Sequence, residues 1–188
     1  MRIITGKAKG LKLKTPAGQA TRPTSDRVKE SLFSVLNGMI NFSEVEKVLD
    51  IFAGTGALGI ESLSRGAKSA IFIDSTTTSL IAENVRRAKF ENFSKVLRGD
   101  FEKFLKKLSA ENLQFDLIFS DPPYHKGLAQ KTLELVAKFN LLGAKGFLAV
   151  EHGAEEILSP LQNLKQVRKL VYGNTTVIEI FGLSKGEQ

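Results

Sequence analysis

Residues 50–61 read Asp-Ile-Phe-Ala-Gly-Thr-Gly-Ala-Leu-Gly-Ile-Glu, and their reading decides the fold. Gly54, Gly56 and Gly59 are spaced G-x-G-x-x-G, and an acidic residue, Asp74, follows Gly54 by 20 positions. The combination matches the dinucleotide-binding fingerprint, in which glycines allow a tight strand-to-helix turn and a close approach to a nucleotide. It leaves open whether the ligand is a nicotinamide cofactor or another nucleoside-bearing molecule.

Around this loop, strand-like and helix-like runs alternate. Strands are expected over 46–51, 69–74, 95–98, 115–120 and 146–151, and helices over 57–65, 76–90, 101–109, 127–138 and 154–159. Such alternation argues a doubly wound α/β domain with a mostly parallel sheet. The end departs from it: runs 164–172 and 175–182, joined by Tyr172-Gly173-Asn174, signal an antiparallel hairpin and bring the sheet to seven strands. Upstream, residues 2–5 and 11–14 flank GKAKG as a small hairpin. A helix follows near Asp26, capped by Thr24 or Ser25, with Val28, Leu32, Val35, Leu36, Met39 and Ile40 on its apolar face. The chain divides into a basic extension, 1–43, for substrate docking and an α/β domain, 44–188.

Charge sharpens this division. Residues 1–43 carry eight Lys or Arg against two acids, whereas the whole chain has a net charge of +7. A basic extension on a near-neutral body suits a polyanion, most simply nucleic acid. There is no cysteine and there are only two histidines, which excludes disulfides and thiolate metal sites and argues against any metal. No leader-like or long apolar run is present, so a cytoplasmic protein without a membrane partner is expected.

In open α/β sheets the ligand lies at the carboxyl ends of the strands. Asp50, Asp74, Asp100 and Asp121 all fall at or just beyond such ends. A carboxylate at Asp50, directly before the glycine loop, would repel a pyrophosphate. S-adenosylmethionine (SAM) is the fitting alternative: it carries a sulfonium and an ammonium and no phosphate. Its amino-acid end then meets Asp50, Gly54 and Gly56, its ribose hydroxyls meet Asp74, its adenine meets Asp100 and Phe101, and Phe52 is a further cofactor contact.

A second motif, Asp121-Pro122-Pro123-Tyr124, follows the strand at 115–120. The prolines make a stiff extended corner and keep Asp121 out of the helical region. The Asp121 carboxylate and the Pro122 carbonyl are two convergent acceptors, which suit an exocyclic NH2. Holding both hydrogens helps pyramidalise that nitrogen and aims its lone pair at a methyl donor. Tyr124 offers a flat face for an unstacked base.

These motifs resemble those of the bacterial 16S ribosomal RNA (guanine-N2)-methyltransferases of the RsmD type. The likeness runs through MRIITGKAKGLKL at the start, RPTSDRVKESLFSVL at 22–36, VLDIFAGTGALGIESLSRGA at 48–67, Asn84, FDLIFSDPPY at 115–124 and AVEHG at 149–153. It implies a Rossmann-like class I SAM-dependent methyltransferase fold and methyl transfer to the N2 of one guanine in 16S rRNA, within assembled or partly assembled 30S particles. It implies SAM contacts at Asp50, Gly54, Gly56, Asp74 and Asp100, and a guanine held by Asp121, Pro122 and Tyr124. The family more often has Glu where Asp74 stands. The chain has no room for the extra recognition domain usual in DNA amino-methyltransferases, so specificity must come from the shape of a folded RNA. Lys7, Lys9, Lys12, Lys14, Arg22 and Arg27 are the phosphate-contact candidates, with Thr24 and Ser25 adding anion contacts at a helix start. A monomer is expected. Alternatives are an N6-adenine or protein-glutamine methyltransferase, an NAD-dependent oxidoreductase and a non-catalytic ribosome-assembly factor. Glu151 and His152 read only as orienting residues, and His125 as an exposed loop residue.

Overall fold

The structure is a computed structural model and describes residues 1–16 and 23–184. Among the described residues five α-helices, α1 (Pro23–Asn37), α2 (Ala57–Arg65), α3 (Thr78–Arg87), α4 (Phe101–Ala110) and α5 (Leu128–Lys138), accompany seven strands. These are β1 (Lys47–Ile51), β2 (Ser69–Asp74), β3 (Ser94–Arg98), β4 (Phe115–Ser120), β5 (Leu142–Gly153), β6 (Leu164–Tyr172) and β7 (Thr176–Leu183). They form one sheet in the order β3-β2-β1-β4-β5-β7-β6. This is the expected mixed sheet, mostly parallel with an antiparallel carboxyl-terminal hairpin. The chain divides into two compact units, Met1–Phe101 and Glu102–Gln188.

In the first unit β1, β2 and β3 pair in parallel, with Asp50 opposite Phe72 and Ile73 opposite Leu97. Val48, Leu49 and Ile51 of β1 are fully buried, as in a strand covered on both faces. Helix α2 is nearly all buried, and its polar Glu61, Ser62 and Ser64 are buried with it. The cause is the amino-terminal hairpin, which lies on this helix. The hairpin is short, closed by an Arg2–Lys12 bridge and by bonds from Ile3 N to Leu11 O (2.9 Å) and Leu13 N to Met1 O (3.0 Å). Ile3 and Leu13 point inward, while Lys7, Lys9, Lys12 and Lys14 are exposed.

Buried polar groups must find partners, and Glu61 finds four. Its carboxylate accepts from Ile4 N (2.8 Å), Thr5 N (3.1 Å), Lys29 Nζ (3.0 Å) and Arg65 Nε (2.9 Å), which matches a carboxylate's four lone-pair sites. Ser64 Oγ donates to Thr5 O (2.6 Å) and accepts from Ala8 N (2.9 Å). Asn84 of α3 accepts from Lys14 N (2.8 Å) and donates to Lys14 O (3.0 Å) and Thr55 O (2.9 Å), tying the end of the hairpin to the glycine loop.

In the second unit β4 and β5 run parallel, with Ser120 opposite Val150. β7 pairs antiparallel with β5 on one side and β6 on the other. Three expectations are corrected. Residues 154–159 are not helical: Ile157 is exposed, so the segment has no apolar face packed down, and Glu156 instead accepts from Gly153 N at 3.0 Å. Helix α1 starts at Pro23, because proline is preorganised for a first helical position, so Thr24 and Ser25 lie inside the helix rather than before it, and it ends at Asn37, so Met39 and Ile40 lie beyond it. The β6–β7 turn is Gly173-Asn174-Thr175, one residue later than expected.

Candidate active site

The glycine loop leaves β1 through left-handed backbone at Phe52 (φ 59°), Gly54 (φ 57°) and Gly56 (φ 77°). For Phe52 that conformation costs about 1–2 kcal/mol. Its ring packs on Phe101, with centroids 4.7 Å apart and planes tilted by 51°. Gly59 serves a different end: a Cβ there would lie 2.3 Å from Phe72 Cε1, so α2 can approach β2 only without a side chain.

Two carboxylates hold the loop, one near each end. Asp50 Oδ2 accepts from Gly59 N at 2.9 Å, and Asp50 is 2% exposed. Burial pushes the Asp50 carboxyl up to about 7; the Gly59 bond opposes the rise and the charge of Asp74 adds to it. Asp74 Oδ2 accepts from Gly54 N (3.0 Å), and its Oδ1 accepts from Thr76 N and Thr77 N (both 2.8 Å). Burial raises Asp74, but the bonds from Thr77, Thr76 and Gly54 outweigh it and leave the group below the usual aspartate value. A cation would relieve the repulsion between Asp50 and Asp74, and a phosphate would worsen it. The loop is thus electrostatically suited to a positively charged nucleoside ligand. Asp100 is exposed at the end of the β3–α4 turn, and Phe101 is buried at the start of α4.

The Asp121–Tyr124 corner follows β4. Asp121 is exposed, Pro122 is buried and Tyr124 is half-buried. Tyr124 Oη donates to Glu151 Oε1 at 2.6 Å and lies 3.3 Å from Thr176 Oγ1. Burial and the Glu151 bond raise the Tyr124 hydroxyl, so it stays protonated. Burial also raises Glu151, against the lowering effect of the Tyr124 bond. His152 is buried one residue on; its Nδ1 lies 2.9 Å from Gly153 O, and its Nε2 lies 3.7 Å from Glu179.

The lysine candidates sit together on the hairpin, although Lys14 is already paired with Glu83. Arg27 is exposed on α1. Arg22 lies outside the described residues, as does the side chain of Thr24. A cleft of about 580 Å³ beside the hairpin is lined by Thr5, Asn37, Ile40, Phe42 and Arg65, none of which the sequence nominated as a site residue. Among the described residues no cluster of three or more His, Asp or Glu could hold a metal ion, and no helix is long and apolar enough to cross a membrane. Two features escaped the sequence reading: the Glu61 and Asn84 fastenings of the hairpin, and the Tyr124–Glu151 bond.

Residues 1–181 match the family described as Conserved hypothetical protein 95. The chain belongs to this family. Its relatives include YlbH of Bacillus subtilis, 37% identical over 180 residues that cover 94% of this chain and 96% of that protein. The Ribosomal RNA small subunit methyltransferase D of Haemophilus influenzae is 35% identical over 176 residues, covering 92% and 89%. The solved structure of yhhF from Escherichia coli superposes with a TM-score of 0.81 at 30% identity, over 96% of each chain. The resemblance read from the sequence is therefore borne out at the level of the family, and the chain spans nearly the whole length of these relatives.

Proposed function

We propose that this protein methylates the exocyclic N2 of one guanine in small-subunit rRNA, using SAM, and that its substrate is an assembled or partly assembled 30S particle. The carrying observation is the glycine loop held between Asp50 and Asp74, which favours a cationic nucleoside over a dinucleotide. The relatives named small subunit methyltransferase D support the RNA substrate.

SAM supplies an electrophilic methyl on a sulfonium. On this reading the buried Asp50 and the backbone at Gly54 and Gly56 receive its amino-acid end. A remaining lone pair on Asp74 Oδ2 accepts a ribose hydroxyl, and Phe52, Asp100 and Phe101 flank the adenine. Asp121 and the Pro122 carbonyl accept the two hydrogens of guanine N2, and Tyr124 stacks on the base. Positioning and electrostatics supply most of the rate, because the amine's lone pair must be freed from its ring and aimed in line. Residues 1–43 dock the RNA through Lys7, Lys9, Lys12, Arg22, Thr24 and Arg27, with Lys14 after release from Glu83. The protein works as a cytoplasmic monomer.

The test is transfer of a radiolabelled SAM methyl to 30S particles from cells lacking the enzyme, to naked 16S rRNA and to duplex DNA, followed by nucleoside identification. N2-methylguanosine from the particles is expected. Label in adenine or in DNA overturns the proposal. In the same assay Asp121→Ala should lower turnover by roughly 10²-fold or more while SAM binding survives, as for loss of a transition-state acceptor. Wild-type turnover in that variant removes Asp121 from the mechanism.

A further inference from the structure

Guanine and adenine differ at one atom beside the reacting amine: N1 carries a hydrogen in guanine and a bare lone pair in adenine. A base drawn from its stack is read along this Watson–Crick edge. We propose that Glu151 is the specificity residue of the target site, its Oε2 accepting the N1–H of guanine. The inference rests on the methyltransferase function proposed above and names the group that selects the base.

Three observations within the second unit carry it. First, Ser120 and Val150 are partners in parallel register, so Asp121 and Glu151 are the next residues along their two strands. Residues at one level of adjacent strands share a face, about 4.8 Å apart. Two acceptors thus leave the sheet side by side, one for the N2 hydrogens and one for the neighbouring N1–H. Second, the Tyr124 hydroxyl donates to Oε1 at 2.6 Å, a short charge-assisted bond, and so fixes the carboxylate while using only one of its oxygens. Third, Tyr124 is itself held against β5. A Cβ at Gly153 would lie 3.5 Å from Tyr124 Cδ2 and 3.5 Å from His125 Cε1, so the ring packs on backbone at that point. The stacking residue and the acceptor are therefore locked to each other, and a base lying on the Tyr124 ring presents its edge to Glu151. An adenine in that pose would set its N1 lone pair against a carboxylate, which disfavours it.

The test uses 30S particles reconstituted with 16S rRNA carrying either guanosine or 2-aminopurine riboside at the methylated position. 2-Aminopurine keeps the N2 amine but has a bare N1. The wild-type enzyme should prefer guanosine by about 10²-fold or more in kcat/KM, since a site built around a donor rejects an analogue lacking it. In Glu151→Gln the amide oxygen still accepts from Tyr124, and its NH2 turns a donor toward N1. Guanosine should lose about 10²-fold, 2-aminopurine should hold or gain, and the preference should collapse. Tyr124→Phe, which keeps the carboxylate, should retain most of the preference while slowing both substrates. Equal wild-type rates on the two substrates overturn the proposal, as does an unchanged preference in Glu151→Gln, which would leave Glu151 a positioning residue for Tyr124. Failure of the wild type to label guanosine at all would strike the methyltransferase reading itself, an outcome distinct from either of these.

Discussion

Asp50 shows how far one residue's surroundings can move its chemistry. An aspartate ordinarily titrates at about 4, and burial pushes Asp50 to about 7. Between those values the folded chain holds a proton that the unfolded chain lacks. Stability from this group therefore falls as pH rises from about 4 to about 7 and is level above. Asp50→Asn should abolish that slope, measured as urea midpoints across the range; an unaltered slope would assign the pH dependence to other groups. The same group should report cofactor binding. A cation arriving beside Asp50 favours its ionised form, so SAM binding near pH 7, where this carboxyl is about half protonated, should release up to about half a proton. Calorimetry in two buffers of different ionisation heat measures the release. No release would mean that the cation lies away from Asp50.

At the level of elements, α2 is caught between the sheet and the hairpin, and each side makes a prediction. Gly59→Ala places a methyl 2.3 Å from the fully buried Phe72 ring. Overpacking of this kind should cost about 1–3 kcal/mol in urea unfolding, and undiminished stability would show that α2 can lift from β2. On the other side, Glu61→Ala leaves Lys29 buried without its carboxylate, with an expected loss of about 3–5 kcal/mol. Lys29→Met should cost far less, because Arg65 still pairs with Glu61 and the methionine is apolar; equal losses would contradict the network. These elements also mark what the sequence disclosed. The glycine loop and the Asp-Pro-Pro-Tyr corner were legible because glycine and proline constrain the backbone wherever they stand. Alternating apolar runs placed β1 to β4 and α2 to α5 closely. Glu61, Lys29 and Asn84 were not legible, since their partners lie tens of residues away. The only sign was a polar residue on an apolar face, as with Asn84 between Ile81 and Val85. The role of Glu151 was hidden because its bond to Tyr124 depends on strand register, which residue types leave undetermined.

For the whole molecule the charge is lopsided, with six of the seven net positive charges in residues 1–43. The hairpin part of that segment is bolted to α2 and α3, so its lysines ride on a firm base. Neutralising Lys7, Lys9 and Lys12 should reduce the salt slope of particle binding by about 2–3, since each phosphate that a lysine neutralises adds about 0.7–0.9 to that slope. An unchanged slope would show that this edge does not meet phosphate. The fastening also has a consequence in time. Ile4 and Thr5 bond to Glu61, 57 and 56 residues further along. A chain made from its amino end at about 5–20 residues per second therefore leaves the hairpin without its Glu61 clasp for roughly 3–11 seconds. For that interval the lysine-bearing strands have no folded surface to lie on, and their charge is carried by a loose segment rather than a firm edge.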